Sequence, residues 1–164
     1  MTPRDDDELL RIRVAGRPVT QGSKQAFVIH QRGRTPRAVM KEARADTLKP
    51  WREAIRSTVA ERLGDGWQPE PGPVGVTLLF ALPLPASAPK RRRTWPTGAR
   101  SGDVDKLARA ALDALGDARL YRDDAQVIRL TVVKDYPGAG VHQMTPGVLI
   151  LAHRIHHDPE EGPS

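Results

Sequence analysis

Hydrophobic and basic positions alternate along Leu10-Arg11-Ile12-Arg13-Val14, the period of a strand with one buried face. AFVIH (26–30) predicts a second short strand, and the turn residues of QRGRTPR lead from it to a third around 38–41, closing a hairpin. The period then changes. Trp51, Ile55, Val59 and Leu63 recur every four residues, which predicts a helix over 47–63 with Pro50 accommodated in its first turn. Glycines and prolines between 64 and 75 break that helix. VGVTLLFALPL (74–84) follows as a strand that puts Val74, Val76, Leu78 and Phe80 on one face. A loop, SAPKRRRTWPTGARS (87–101), leads to a second helix over 104–118 with Leu107, Ala111 and Leu115 on its buried side. VIRLTVV (127–133), which alternates, and GVLILAH (147–153) predict the last two strands. The pattern as a whole predicts an α/β chain of the α+β type: one domain over 9–155 between an acidic tail, 1–8, and a C-terminal tail, 156–164.

Composition narrows what such a domain does. Hydrophobic residues make up 38% of the 164 and aromatic residues 4%, so the core is built of Ala, Val, Leu and Ile and is small enough to favour support from a dimer interface. The absence of cysteine excludes disulfides, thiol nucleophiles and cysteine-ligated metal centres. The N-terminus opens on an acidic run, not on a basic segment followed by an apolar one, and no run reaches about eighteen apolar residues. The expectation is a cytoplasmic protein with no membrane partner. A net charge of +6 points to a polyanion, and the position of the charge sharpens the point: Lys90, Arg91, Arg92, Arg93 and Arg100 all fall in the 87–101 loop, with Trp95 among them.

Two candidate motifs fail on geometry. GRPVTQGSK (16–24) looks like a phosphate-binding loop, but five residues lie between its glycines, Ser23 and Lys24 stand in reversed order, and it leads into a strand instead of a helix. It is kept as a basic loop near a ligand, with Lys24 as a phosphate contact. His153, His156 and His157 lie at a strand end and in a tail, where no regular spacing converges three imidazoles on a metal.

The aspartates differ. GDVDKLARAALDALGDARLYRDDAQV (102–127) holds six of them inside a basic chain. Asp103 and Asp105 sit where a loop enters a helix, and Asp123 and Asp124 return just before the next strand. Helix capping and an Asx turn account for single members of each pair, and Asp113 and Asp117 suit ion pairs with Arg109 and nearby bases. Clustered carboxylates beside a basic loop also suit a metal-dependent phosphodiesterase, in which bases hold the DNA backbone and Mg²⁺ on oxygen ligands activates water. A solvated acidic helix is the competing reading.

The run G-D-V-D-K-L-x-R-x-x-x-D-A-L, followed by Y-R-D-D-A-Q-V, resembles the signature of the RusA family of Holliday junction resolvases, bacterial and prophage-borne endonucleases. The family's usual pattern is D-x-D-N-x-x-K-x-x-x-D-x-L and then D-D-x-Q-V. The G-x-P-x-x-Q-G-S-K stretch, the Pro-Trp-Arg at the central helix and the basic loop agree more loosely. The resemblance implies a RusA-like homodimer with a mixed β-sheet and two main helices, cutting symmetry-related strands of a four-way junction in recombination and repair of nucleoid DNA. It implies that Asp103, Asp105 and Asp124 hold Mg²⁺ (or Mn²⁺), with Asp123 as a neighbour and no small-molecule cofactor. Lys24, Lys90, Arg91, Arg92, Arg93, Arg100 and Lys106 are the expected DNA contacts. Two positions depart from the pattern. Arg109 stands where the family has lysine and is expected to steady phosphate charge without acting as a base. Lys106 stands where the family has asparagine. These departures keep open a second expectation, a junction- or duplex-binding protein with little catalysis.

Overall fold

The computed structural model of the chain describes residues 7–22, 24–29, 33, 37–42 and 45–156. Six strands and two helices follow in the order β1 (Glu8–Ala15), β2 (Lys24–Ile29), β3 (Arg37–Glu42), α1 (Ala45–Leu63), β4 (Val74–Ala81), α2 (Val104–Asp117), β5 (Val127–Asp135) and β6 (Gly147–Arg154). Four strands form one sheet in the order β1-β6-β4-β5, and β2 and β3 pair as a separate antiparallel hairpin. The sheet is mixed. β1–β6 and β6–β4 are antiparallel, while β4 and β5, joined through α2, are parallel. The expected mixed α+β architecture with two main helices is what the chain adopts. The expected tails fall almost wholly outside the described residues, as do His30 and His157.

One face of the sheet makes the core. Leu10, Ile12 and Val14 of β1 register with Ala152, Ile150 and Val148 of β6, which register with Val76, Leu78 and Phe80 of β4. All nine are buried beneath the helices. Leu48, Trp51, Ile55 and Val59 bring α1 onto this layer, and Leu107, Ala108, Ala111, Ala114 and Leu115 bring in α2. The alanines let α2 approach closely with little side-chain entropy lost. Pro50 lies deeper in α1 than the first turn, because the helix starts at Ala45. Its missing N–H removes the i→i−4 donor for the carbonyl of exposed Asp46.

β5 is a strand as its alternation predicts, but burial does not follow. It is the sheet edge, and Ile128 is 63% and Leu130 44% exposed. Large apolar side chains on an open edge, next to unpaired backbone donors and acceptors, are a surface that another strand can complete.

Candidate active site

The topology gathers the polar chemistry at one end of the sheet. β4 and β5 run parallel with Phe80 opposite Lys134 and Ala81 opposite Asp135, so the chain leaves β4 into the basic loop at the end where β5 also finishes. The loop then returns to start α2 at that same end. Lys134 fastens the junction: its Nζ donates to Ser101 Oγ at 2.9 Å and to the Gly102 carbonyl at 2.6 Å. Gly102 has φ +79°, a left-handed conformation that glycine adopts freely, and a Cβ there would collide with the Thr20 methyl. Lys134 was not legible as a site residue. Its only signal was its place at the end of a strand adjoining the loop.

Asp103 occupies the N-cap position of α2 with extended backbone (φ −81°, ψ 143°), yet its side chain makes no capping hydrogen bond. The capping explanation therefore does not account for this carboxylate. It points outward and meets Lys106 Nζ at 2.9 Å. That ammonium, bonded to it directly, holds Asp103 below the usual carboxylate range, and the same contact holds Lys106 above the usual amine range. Asp105, in the first turn, is exposed and has no hydrogen-bond or ion-pair partner among the described residues. One turn on, Arg109 is exposed on the same stripe and equally unpartnered among them.

The second acidic motif divides into a scaffold and a site. Asp123 Oδ1 accepts from the Ala125 amide at 2.8 Å, and Gln126 Oε1 accepts from the Arg122 and Asp123 amides, both at 2.8 Å. Gln126 Nε2 donates onward to the carbonyls of Glu70 (2.7 Å) and Gly72 (2.8 Å). These two residues of D-D-x-Q hold the turn in place. Asp124 turns instead toward the last turn of α2, so close that an alanine Cβ at Gly116 would lie 3.0 Å from its Oδ1. Burial first, then the charges of Asp113 and Asp123, raise its carboxyl above the usual range. Burial and the Asp124 charge likewise push the Tyr121 hydroxyl up, and that hydroxyl donates to the Leu112 carbonyl at 3.0 Å.

A pH dependence follows with a definite sign. The folded Asp124 keeps its proton to higher pH than the unfolded one, so stability falls as pH rises from the ordinary carboxylate range through the raised value. Asp124→Asn is expected to raise Tm at neutral pH in metal-free buffer, with the gain shrinking on acidification until the wild-type carboxyl is itself protonated. Melting curves across that range would show it, and an unchanged or lowered Tm at neutral pH would contradict it.

Asp113 and Asp117 do find cationic and amide partners, but not Arg109. Arg52 of α1 meets Asp117 Oδ2 at 2.7 Å and Asp113 Oδ2 at 3.9 Å, and Gln21 Nε2 donates to Asp113 Oδ2 at 2.5 Å. The Gln21 amide also donates to the Lys106 carbonyl at 3.0 Å. Gln21 thus straps its loop across α2. Gln21 and Arg52 were visible in the sequence only as parts of short motifs with no stated role.

The three expected metal ligands do not meet within one chain. Asp103 and Asp105 lie at the start of α2 and Asp124 at its end, about 16 Å apart at 1.5 Å per helical residue. Among the described residues no three Asp, Glu or His side chains are arranged to hold one ion, and His156 is instead paired with Asp7 at 2.8 Å. What one chain offers is Asp103 and Asp105, two hard oxygen donors open to solvent. That is the donor set Mg²⁺ uses when water and substrate phosphate complete its shell. Such an ion, once held, supplies Lewis-acid stabilisation of phosphate charge and lowers the pKa of water.

The basic loop also divides. Lys90, Arg91, Arg92 and Arg100 are exposed, without ion-pair partners among the described residues. Arg93 departs from the expected role, since its guanidinium pairs with buried Asp135 at the end of β5 and lies over the Trp95 ring, 5.0 Å from the centroid. It anchors the loop to the sheet. Lys24 opens β2, and its side chain lies outside the described residues.

The two-layer α+β domain sets outward carboxylates beside exposed cations that have no ion-pair partner among the described residues, at the shared end of two parallel strands, an arrangement whose charges suit a phosphodiester. The chain belongs to the RusA endodeoxyribonuclease family, whose model matches residues 16–143. A comparison with curated proteins finds no match. Membership makes this chain one of a family of DNA-cleaving hydrolases whose general activity is resolution of Holliday junctions, with branched DNA as the partner. No helix among the described residues is long and apolar enough to cross a membrane.

Proposed function

We propose that this chain is a Mg²⁺-dependent (or Mn²⁺-dependent), structure-selective endonuclease that resolves four-way junctions as a homodimer by paired hydrolysis, in recombination and repair of cytoplasmic, nucleoid DNA. The observation that carries the reading is Asp103. It is a helix-start carboxylate that declines to cap its helix and stands exposed beside Asp105, immediately after a loop in which Lys90, Arg91, Arg92 and Arg100 have no ion-pair partner among the described residues. Asp103 and Asp105 bind the metal, Arg109 steadies negative charge on the phosphate without exchanging a proton, and Lys90, Arg91, Arg92 and Arg100 hold the backbone.

The dimer also gives Asp124 a place. If β5 pairs with β5 of a second copy about a two-fold axis, the strands run antiparallel, and α2, which packs against β5, runs antiparallel to the partner's α2. The start of one α2 then lies toward the end of the other. The partner's Asp124 joins Asp103 and Asp105, and the exposed Ile128 and Leu130 are covered.

The test is cleavage of a labelled four-way junction and a matched linear duplex, with Mg²⁺ and with EDTA. Paired, metal-dependent nicks in the junction alone are expected. Tight binding without a nick in Mg²⁺ or Mn²⁺ would favour the second reading, a junction-binding protein with little catalysis. That reading draws on the Lys106–Asp103 ion pair, which a metal must displace, and on arginine at 109. Arg109→Lys separates the two. Turnover that stays level or falls identifies Arg109 as a working residue, and a rise of about tenfold or more identifies it as a defect.

A further inference from the structure

We propose that Trp95 is a stacking platform for one unpaired nucleobase at the branch point of the DNA, an inference that rests on the function proposed above. The three tryptophans of the chain are used differently. Trp51 is buried in the core at 5% exposure, and Trp67 Nε1 donates to the Arg119 carbonyl at 3.0 Å. Trp95 is 58% exposed on the same loop as the unpaired cations, after Arg92 and before Arg100 and Asp103. A loop tryptophan that merely packs on its own surface hides its ring, and this one does not.

The ring is nevertheless held. The Arg93 guanidinium lies over it, and the ion pair of Arg93 with Asp135 ties that guanidinium to the end of β5. The backbone around it is fixed from the other direction. Thr97 donates its amide to the Trp95 carbonyl at 2.9 Å, and the one proton of Ser101 Oγ is shared between the carbonyls of Pro96 and Gly98, each at 2.7 Å. Lys134 in turn holds Ser101 to the sheet.

A rigid indole, cation-backed on one side and open to solvent, presents a flat apolar surface at little entropic cost. Every base has a π-face that fits it, and Arg91, Arg92 and Arg100, exposed on the same loop, supply the phosphate contacts that a displaced nucleotide needs. Bases in a continuous duplex are already stacked on their neighbours. Those at a branch point are the easiest to displace, so the platform adds to affinity for branched DNA and little to affinity for linear DNA.

The experiment uses the full chain and four-way junctions carrying 5-iododeoxyuridine either at the branch point or in the middle of an arm, irradiated in complex, with the adduct mapped by mass spectrometry. The branch-point probe is expected to cross-link to Trp95 and the arm probe not to. Trp95→Ala is expected to bind the junction about tenfold more weakly, with linear-duplex binding unchanged, and Trp95→Phe to stay within a few-fold of wild type. An adduct elsewhere with the branch-point probe, or Trp95→Ala binding the junction as well as wild type, overturns the platform while leaving the nuclease reading intact. Wild-type protein that shows no preference for the junction over linear duplex overturns the function itself, and that result is read before any tryptophan is changed.

Discussion

Asp105→Asn is expected to abolish Mg²⁺-dependent junction cleavage, by on the order of a thousand-fold or more, while junction affinity stays level or rises. The substitution is nearly isosteric, and the native side chain is exposed with no hydrogen bond or ion pair among the described residues. Stability is therefore expected to change by no more than about 0.5 kcal/mol. What changes is charge at the place where a hard cation and a phosphate must both settle. A neutral amide oxygen is a poorer donor for Mg²⁺, and losing the carboxylate removes repulsion of the DNA backbone. Single-turnover cleavage and a binding titration in EDTA separate the two effects. Cleavage retained near the wild-type rate would remove Asp105 from the site. Asp103→Asn is the less clean version of the same experiment, because it also frees Lys106 from its ion pair and adds a loose cation next to the substrate.

The contrast between those two carboxylates also shows what a linear pattern carries. β1, β4 and α2 are legible because each has one face against the core and the hydrophobic period records it directly. β5 has the same kind of alternation, but its burial depends on what stands beside it in the sheet, and the strand order that makes it an edge is not written in its own residues. The loop arginines are alike in type. Only the parallel register of β4 and β5, which puts Asp135 at the loop's departure point, selects Arg93 as the anchor. In D-D-x-Q the adjacent aspartates take unrelated roles, one closing a turn and the other facing α2, a division set by backbone direction rather than residue type. The family resemblance implied one set of three carboxylates, Asp103, Asp105 and Asp124. The intervening helix, about 20 Å long at 1.5 Å per residue, separates them in the single chain, and no spacing rule distinguishes ligands from one chain from ligands shared between two.

The proposed sharing of a site between two chains has a direct consequence: mixing two inactive variants is expected to restore activity. In a heterodimer of Asp105→Asn with Asp124→Asn, one of the two sites inherits both substitutions and the other inherits neither. That intact site should nick the junction at a rate near half that of the wild-type dimer, though without the paired cut, while each variant alone remains inactive. If instead each chain built its own site, both sites of the heterodimer would be damaged and mixing would restore nothing. The interface is tested independently by Ile128→Asp with Leu130→Asp. Two charges placed on the exposed edge of β5 leave every proposed ligand untouched, yet they oppose burial of that edge against a second copy. The double variant is expected to sediment as a folded monomer that still melts cooperatively, at a lower temperature than the dimer, and to lose cleavage by at least about a hundred-fold because each acidic pair is deprived of its third carboxylate. A monomeric variant that still cleaves at the wild-type rate would show that Asp103 and Asp105 suffice without the partner's Asp124, and would confine the dimer to pairing the two cuts.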